Sequence, residues 1–284
     1  MTEPIIRVDA LLPPEIAARA EEAGVKKARL DSLSMFALAV LAGAFIALGA
    51  VFATVVSAGG GLPYGVSRLL AGLVFCLGLI LVVLGGAELF TGNNLIVMAW
   101  ASRKISTGAL LRNWVIVYAG NLVGAVATAG LMFLTREYTF GGGAVGLTAL
   151  NIANAKVNLE FVQATALGIM CNALVCLAVW LTLGARTTTD KILAIIFPIT
   201  AFVAAGFEHS VANMYFIPLG WFIKIFDPAF AAGAGLDLTN LTPAGFLENL
   251  FPVTLGNIIG GVVMVAGVYW FIYLRHDRQA STSE

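Results

Sequence analysis

Two stretches of this chain are too long and too apolar to be ordinary helices. Leu69–Ser102 carries one charge, Glu88, and Ile192–Ile223 holds only Glu208 and His209 as charged or readily charged groups. A continuous helix over either would reach roughly 50 Å, against a hydrocarbon core of about 30 Å. Each contains breakers near its middle: Gly85-Gly86 in the first, and Gly206 in the second, flanked by Pro198 and Pro218. The pattern predicts two discontinuous helices, each a pair of half-helices joined by a short loop at membrane depth. Irregular backbone survives there only when buried in protein or lining a wet cavity.

Four further runs, Ser32–Ser67 (its helix within 34–56), Asn113–Thr135, Phe161–Ala185 and Asn249–Leu274, are free of charge or nearly so. Each suits one tilted span, for which about 20 residues suffice. The chain as a whole is 60% hydrophobic and only 11% charged, where soluble domains run about a quarter charged. Its mean hydropathy is +0.93. The fold class expected is an all-α polytopic membrane protein with six transmembrane helices, embedded in a lipid bilayer. A net charge of +0 offers no basic face to a nucleic acid.

Residues 1–31 form a charged, amphipathic arm without the apolar core of a signal peptide. Residues 32–275 make the six-helix domain and 276–284 a short tail, where His276 is solvated. With both termini inside, only Arg68, Arg136, Lys156 and Lys224 of the 16 Lys and Arg residues face outward, which is the charge bias of a cytoplasmic membrane protein. Cys76, Cys171 and Cys176 lie in apolar runs and are spaced for neither a metal nor a disulfide.

The halves of the chain resemble one another. GAELFTGNN at 86–94 and GFEHSVANM at 206–214 share Gly-x-Glu-x4-Asn, and the Gly-Asn-x-x-Gly of 120–124 recurs at 256–260. Three spans per half, an odd number, force two inverted three-helix repeats, a plan that places a binding site between the repeats. Small residues four apart let helix backbones approach in lipid.

Half-helix ends expose unpaired backbone N–H groups and a partial positive charge, where small anions settle. Thr91 and His209 fall in the two breaks, two places out of register, and could face one another across the pseudo-twofold. Both can donate to an anion. His209 could also exchange a proton, since a free histidine titrates near ~6.5, or could simply be satisfied by backbone. Glu88 and Glu208 would repel an anion in the path, so they cap or pair locally. Asn93, Asn213, Asn121 and Asn257 hold loop backbone. Lys156 is either a solvated loop lysine or a vestibule lysine that attracts anions. Asn172, a lone polar residue in its span, is expected to line the path.

ELFTGN, GNLVGA, LGIMCNALVCLAVW, GFEHSVANM and FPVTLGNIIGG together make the chain resemble the formate–nitrite transporter family, most closely its bacterial formate channels. The likeness runs from EEAGVKKA at 21–28 to the last helix. It implies an aquaporin-like protomer, a homopentamer in the bacterial inner membrane, and a formate pore in each protomer. It further implies an outer constriction at Leu79 and Phe202 with Phe75 nearby, and an inner one at Leu89 and Phe90 with Val175 close by. Thr91, His209 and Asn172 would form the central site, and Lys156 would be the vestibule lysine. A fermentative enzyme would dock at the arm.

Nitrite or hydrosulfide is the alternative substrate within that family. A neutral-solute channel of aquaporin type would need Asn-Pro-Ala at each break, and here Asn93 and Asn213 precede Asn94 and Met214. With 2 histidines, one of them in the tail, bis-histidine haem ligation is out of reach. No cofactor and no catalytic residue is expected.

Overall fold

The structure is a computed structural model that describes residues 11–275. The tail at 276–284 and the first ten residues of the arm lie outside the described residues. Among the described residues every regular element is helical, and six helices are long and apolar enough to cross a membrane.

Helix α1 (Pro13–Arg29) is the arm. Then come α2 (Ser32–Ser57), α3 (Tyr64–Gly85), a 3-10 turn at Gly92–Ile96 running into α4 (Val97–Ala101), and α5 (Thr107–Leu134). The second half holds α6 (Ala144–Val157), α7 (Phe161–Gly184), α8 (Thr188–Ala205) and α9 (Ser210–Phe226). After a short α10 (Pro228–Gly233), α11 (Pro243–Ile259) passes through a π-helical stretch, Gly260–Gly267, into α12 (Val268–Tyr273).

The starts are set by side chains that accept from orphan N–H groups. Asp31 accepts from Leu33 and Ser34 at the head of α2, Ser106 from Ala109 at α5, and Thr242 from Gly245 at α11. Thr187 and Asp190 make a capping box for α8. Helices α3 and α8 stop at glycines in the left-handed region, Gly86 (φ 72) and Gly206 (φ 77), a conformation that L side chains adopt at a cost of about 1–2 kcal/mol. The interrupted pieces are unequal. The first break joins the 22 residues of α3 to the short turn and α4, whereas the second joins the 18 of α8 to the 17 of α9.

Two differences from the sequence reading matter for the site. Residues 144–157 are a helix, not a loop, so the Lys156 backbone is fixed at its last turn. The sixth span starts at Pro243, because Pro243 suits a first helical turn and Thr242 caps it.

Helix pairs α2–α5 and α7–α11 close on the Gly-Asn-x-x-Gly segments. A Cβ at Gly124 would overlap the Val40 carbonyl, and one at Gly260 the Ile169 carbonyl. The arm packs on the first break's far side, with Ile16, Ala17, Ala20 and Ala28 clustered against Leu95, Ile96, Met98 and Trp180. Large apolar side chains such as Phe197 (79% exposed), Val162 (78%) and Val115 (68%) point outward; lipid or a neighbouring subunit must cover them.

Candidate functional site

The two breaks carry matching hydrogen-bond sets. Asn121 Oδ1 accepts from the Phe90 N–H at 2.9 Å, and its Nδ2 donates to the carbonyls of Ala39 and Glu88. In the other half, Asn257 Oδ1 accepts from Ser210 N–H at 2.9 Å while Nδ2 donates to Gly168 and Glu208. Glu88 accepts from Asn93, which also reaches Asn113, and Glu208 accepts from Asn213, which also reaches Asn249. A lysine completes each set: Lys27 lies 2.6 Å from Glu88 and Lys156 2.8 Å from Glu208. Asn113 and Asn249 each donate to the backbone carbonyl of that same lysine. Lys27 comes from α1 and Lys156 from α6. Each repeat therefore includes the helix before its first span, one more element than the sequence reading assigned.

Between the breaks, Thr91 Oγ1 and His209 Nε2 are 2.9 Å apart, both buried. His209 Nδ1 accepts from the Ala212 N–H at 3.1 Å and so caps α9. A nitrogen that accepts carries no proton. The neutral ring is then protonated on Nε2, which donates to Thr91, and the Thr91 hydroxyl proton is left free to point elsewhere. The imidazole stacks on Phe202, centroids 5.9 Å apart.

Two cavities approach this pair from opposite ends. One, of about 420 Å³, is walled by Arg68, Phe75, Lys156, Phe202, Glu208 and His209. The other, of about 260 Å³, is walled by Arg19, Lys27, Leu79, Leu89, Gly92 and Lys191. A neck of about 10 Å³ lies between them, lined by Ile46, Phe75, Leu79, Leu89, Val175, Ile199, Phe202 and His209. That is scarcely room for one water, which needs roughly 10–15 Å³.

Most of the expected residues meet here, with four differences. Thr91, although bonded to His209, is fully buried and walls none of the three cavities. Phe90 turns its ring away, onto Trp114 and Tyr118 at 6.0 and 4.9 Å, and only its backbone belongs to the break. Asn172 is fully buried behind Thr91 and off the cavity walls; its Nδ2 donates to the carbonyls of Thr91 and Asn257 and to Asn94 Oδ1. Leu79 walls the Lys27 cavity and the neck and not the Lys156 cavity, so it does not stand with Phe75 and Phe202 on the outer side. Ile46 and Ile199 escaped the sequence reading although the repeat points to them. Ile46 stands in its half where Val175 stands in the other, and Ile199 where Leu79 stands. Among the described residues no group of three His, Cys, Asp or Glu side chains could hold a metal.

A family model described as formate/nitrite transporter matches residues 14–271. The chain belongs to the formate/nitrite transporter family. It is 46% identical to "Formate channel FocA" of Escherichia coli (strain K12) over 275 residues, covering 95% of this chain and 96% of that one. It is 41% identical to a "Probable formate transporter" of Methanothermobacter thermautotrophicus, over 84% and 88% of the two chains. A solved "Pentameric formate channel with formate bound" superposes with TM-score 0.80 at 49% identity, covering 86% of this chain and 98% of that one. An "FNT family ion channel" gives 0.76 at 31% identity, covering 91% and 98%. Membership in this transporter family and six apolar helices make the chain a multi-pass membrane protein.

Proposed function

We propose that the protein conducts formate through a path within each protomer, from the Lys156 cavity, past the Thr91–His209 pair, to the Lys27 cavity. The observation that carries this is His209, the one polar side chain lining an otherwise apolar neck, with the Thr91 hydroxyl hydrogen-bonded to it. Its relatives add the substrate, since several carry formate in their names. The two interrupted helices are read as lying at the bilayer midplane, with the Lys27 cavity and both termini cytoplasmic, the Lys156 cavity outside, and the repeats inverted. Five protomers would assemble as in the pentameric neighbour, covering the outward apolar faces. The arm would serve as the docking place of a cytoplasmic enzyme.

Chemically, the neck demands that formate shed its water, and an anion loses far more by that than a neutral acid does. Two groups offset the cost. The N-terminal end of α9, which begins beside His209, brings its partial positive charge to the neck. The Thr91 hydroxyl, its oxygen already accepting from His209, donates its own proton to the passing carboxylate. Adding a second proton to His209 at Nδ1 would break the cap on Ala212. With Nδ1 committed to that cap, the neutral ring has no proton to give up from Nε2 without becoming an imidazolate, so in this resting geometry the Thr91–His209 pair serves the anion by hydrogen bonding.

Uptake by proteoliposomes, compared for formate, nitrite, chloride and glycerol, tests the reading. Formate uptake well above chloride and glycerol is expected, falling in His209→Asn. Equal formate and nitrite rates would make it a general monovalent-anion pore. Passage of glycerol with exclusion of anions would end the proposal.

A further inference from the structure

The outer cavity contains a charge that the pairing leaves over. Lys156 is held 2.8 Å from Glu208, and their side chains are 13% and 6% exposed. As a pair they are neutral, so their field a few ångströms away is that of a small dipole. Arg68 is the other cation on the same wall, and its guanidinium meets no carboxylate among the described residues. It donates instead to backbone: Nε to the Ala204 carbonyl at 3.1 Å, and Nη2 to the Val203 carbonyl. These carbonyls end α8, whose C-terminal end carries about half a negative charge. Arg68 cancels that end and leaves about half a positive charge over. Without it, the Ala204 carbonyl would be bare and the negative end of α8 would face an arriving anion uncompensated.

The cytoplasmic cavity divides its charges the same way. Lys27 is matched to Glu88, while Arg19 and Lys191 line the wall with no carboxylate partner among the described residues. In both cavities, then, the lysine nearest the break is compensated and the net charge comes from elsewhere.

We propose that Arg68, and not Lys156, is the residue that recruits the anion into the outer vestibule. Lys156 holds the break in shape through Glu208. The inference rests on the transport reading above and assigns the outer step of that path.

Sided formate fluxes in proteoliposomes test it, measured at ionic strengths of about 10 mM and about 150 mM, where charges reach about 30 Å and about 8 Å. Arg68→Gln should raise the half-saturating formate concentration for inward flux about fivefold at low salt, in the range a single charge contributes to steering. The rise should shrink at high salt and be largely reversed by Arg68→Lys. A loss equal at both salts would make Arg68 a structural cap only and overturn the proposal, as would no change. Should Arg68→Gln fail to assemble, Gln163→Glu decides. It places a carboxylate on the same wall, away from the α8 carbonyls, and should give the same salt-dependent inward rise; its absence overturns the proposal. A wild type that passes nitrite or chloride but not formate refutes the substrate, and the same comparison made with that anion still decides the role of Arg68.

Discussion

His209 accepts through one ring nitrogen and faces a hydroxyl with the other, so it has no freedom left that does not involve Thr91. Removing that hydroxyl strands Nε2 in an apolar neck and takes away the one donor free for a substrate. Thr91→Val should lower formate flux by at least about tenfold, the cost of an unmade buried hydrogen bond being about 1–3 kcal/mol. Thr91→Ser, which keeps the oxygen, should stay within about threefold of wild type on the same scale. Equal effects of the two would refute the role given to the hydroxyl. Asn257 is a different kind of residue: it touches no cavity, yet one amide closes three backbone bonds around the break. Asn257→Leu orphans all three and should destabilise the fold by about 3 kcal/mol or more, read as a lower melting temperature in detergent. An unshifted melt would mean that the break holds its shape by packing alone.

At the scale of elements, the α2–α5 and α7–α11 contacts leave no room for a methyl group. Gly124→Ala and Gly260→Ala push a Cβ into the backbone of the facing helix, and backbone cannot rotate aside as a side chain can. Each should cost about 1–3 kcal/mol or prevent assembly, while Gly65→Ala, with nothing within 4 Å of its Cβ, should be silent in the same size-exclusion and melting assays. These contacts were legible in the sequence because Gly-Asn-x-x-Gly recurs, and so were Glu88, Glu208, Asn121 and Asn257, since polar residues in an apolar run must do something. Helix α6 was not. Its Asn151, Asn154 and Lys156 dilute the hydropathy that marks a span, and its burial depends on packing against α9, which no local pattern announces. The direction of the Phe90 ring was equally hidden: Trp114 and Tyr118 decide it, and they come from another helix. The π-helical stretch after Ile259 places Gly261 where a Cβ would press on Asn172 and Asn94 at 2.6 and 2.8 Å, a fit that exists only once α7 and the first break are in place.

For the molecule as a whole, the two Lys–Glu pairs are equivalent by the repeat but not by environment, and this difference orders their energetics. Glu88 and Glu208 are nearly equally buried, with side chains 5% and 6% exposed, but Lys27 is 34% exposed and Lys156 only 13%. Removing a lysine leaves a carboxylate buried and unpaired, and the penalty falls where water can reach the gap. Lys156→Met should therefore destabilise by about 3 kcal/mol, and Lys27→Met by clearly less, with water replacing the amine at the arm. Adding Glu208→Gln to Lys156→Met should recover most of the loss, because the amide keeps an oxygen for Asn213 while the charge is gone. The Glu88→Gln partner should recover little, there being little to recover. Melting temperatures of the four variants in one detergent decide the matter. If the two single variants fall equally, or if neither glutamine rescues, the pairs are not the electrostatic clasps described above, and the matching hydrogen-bond sets around each break must hold it without them.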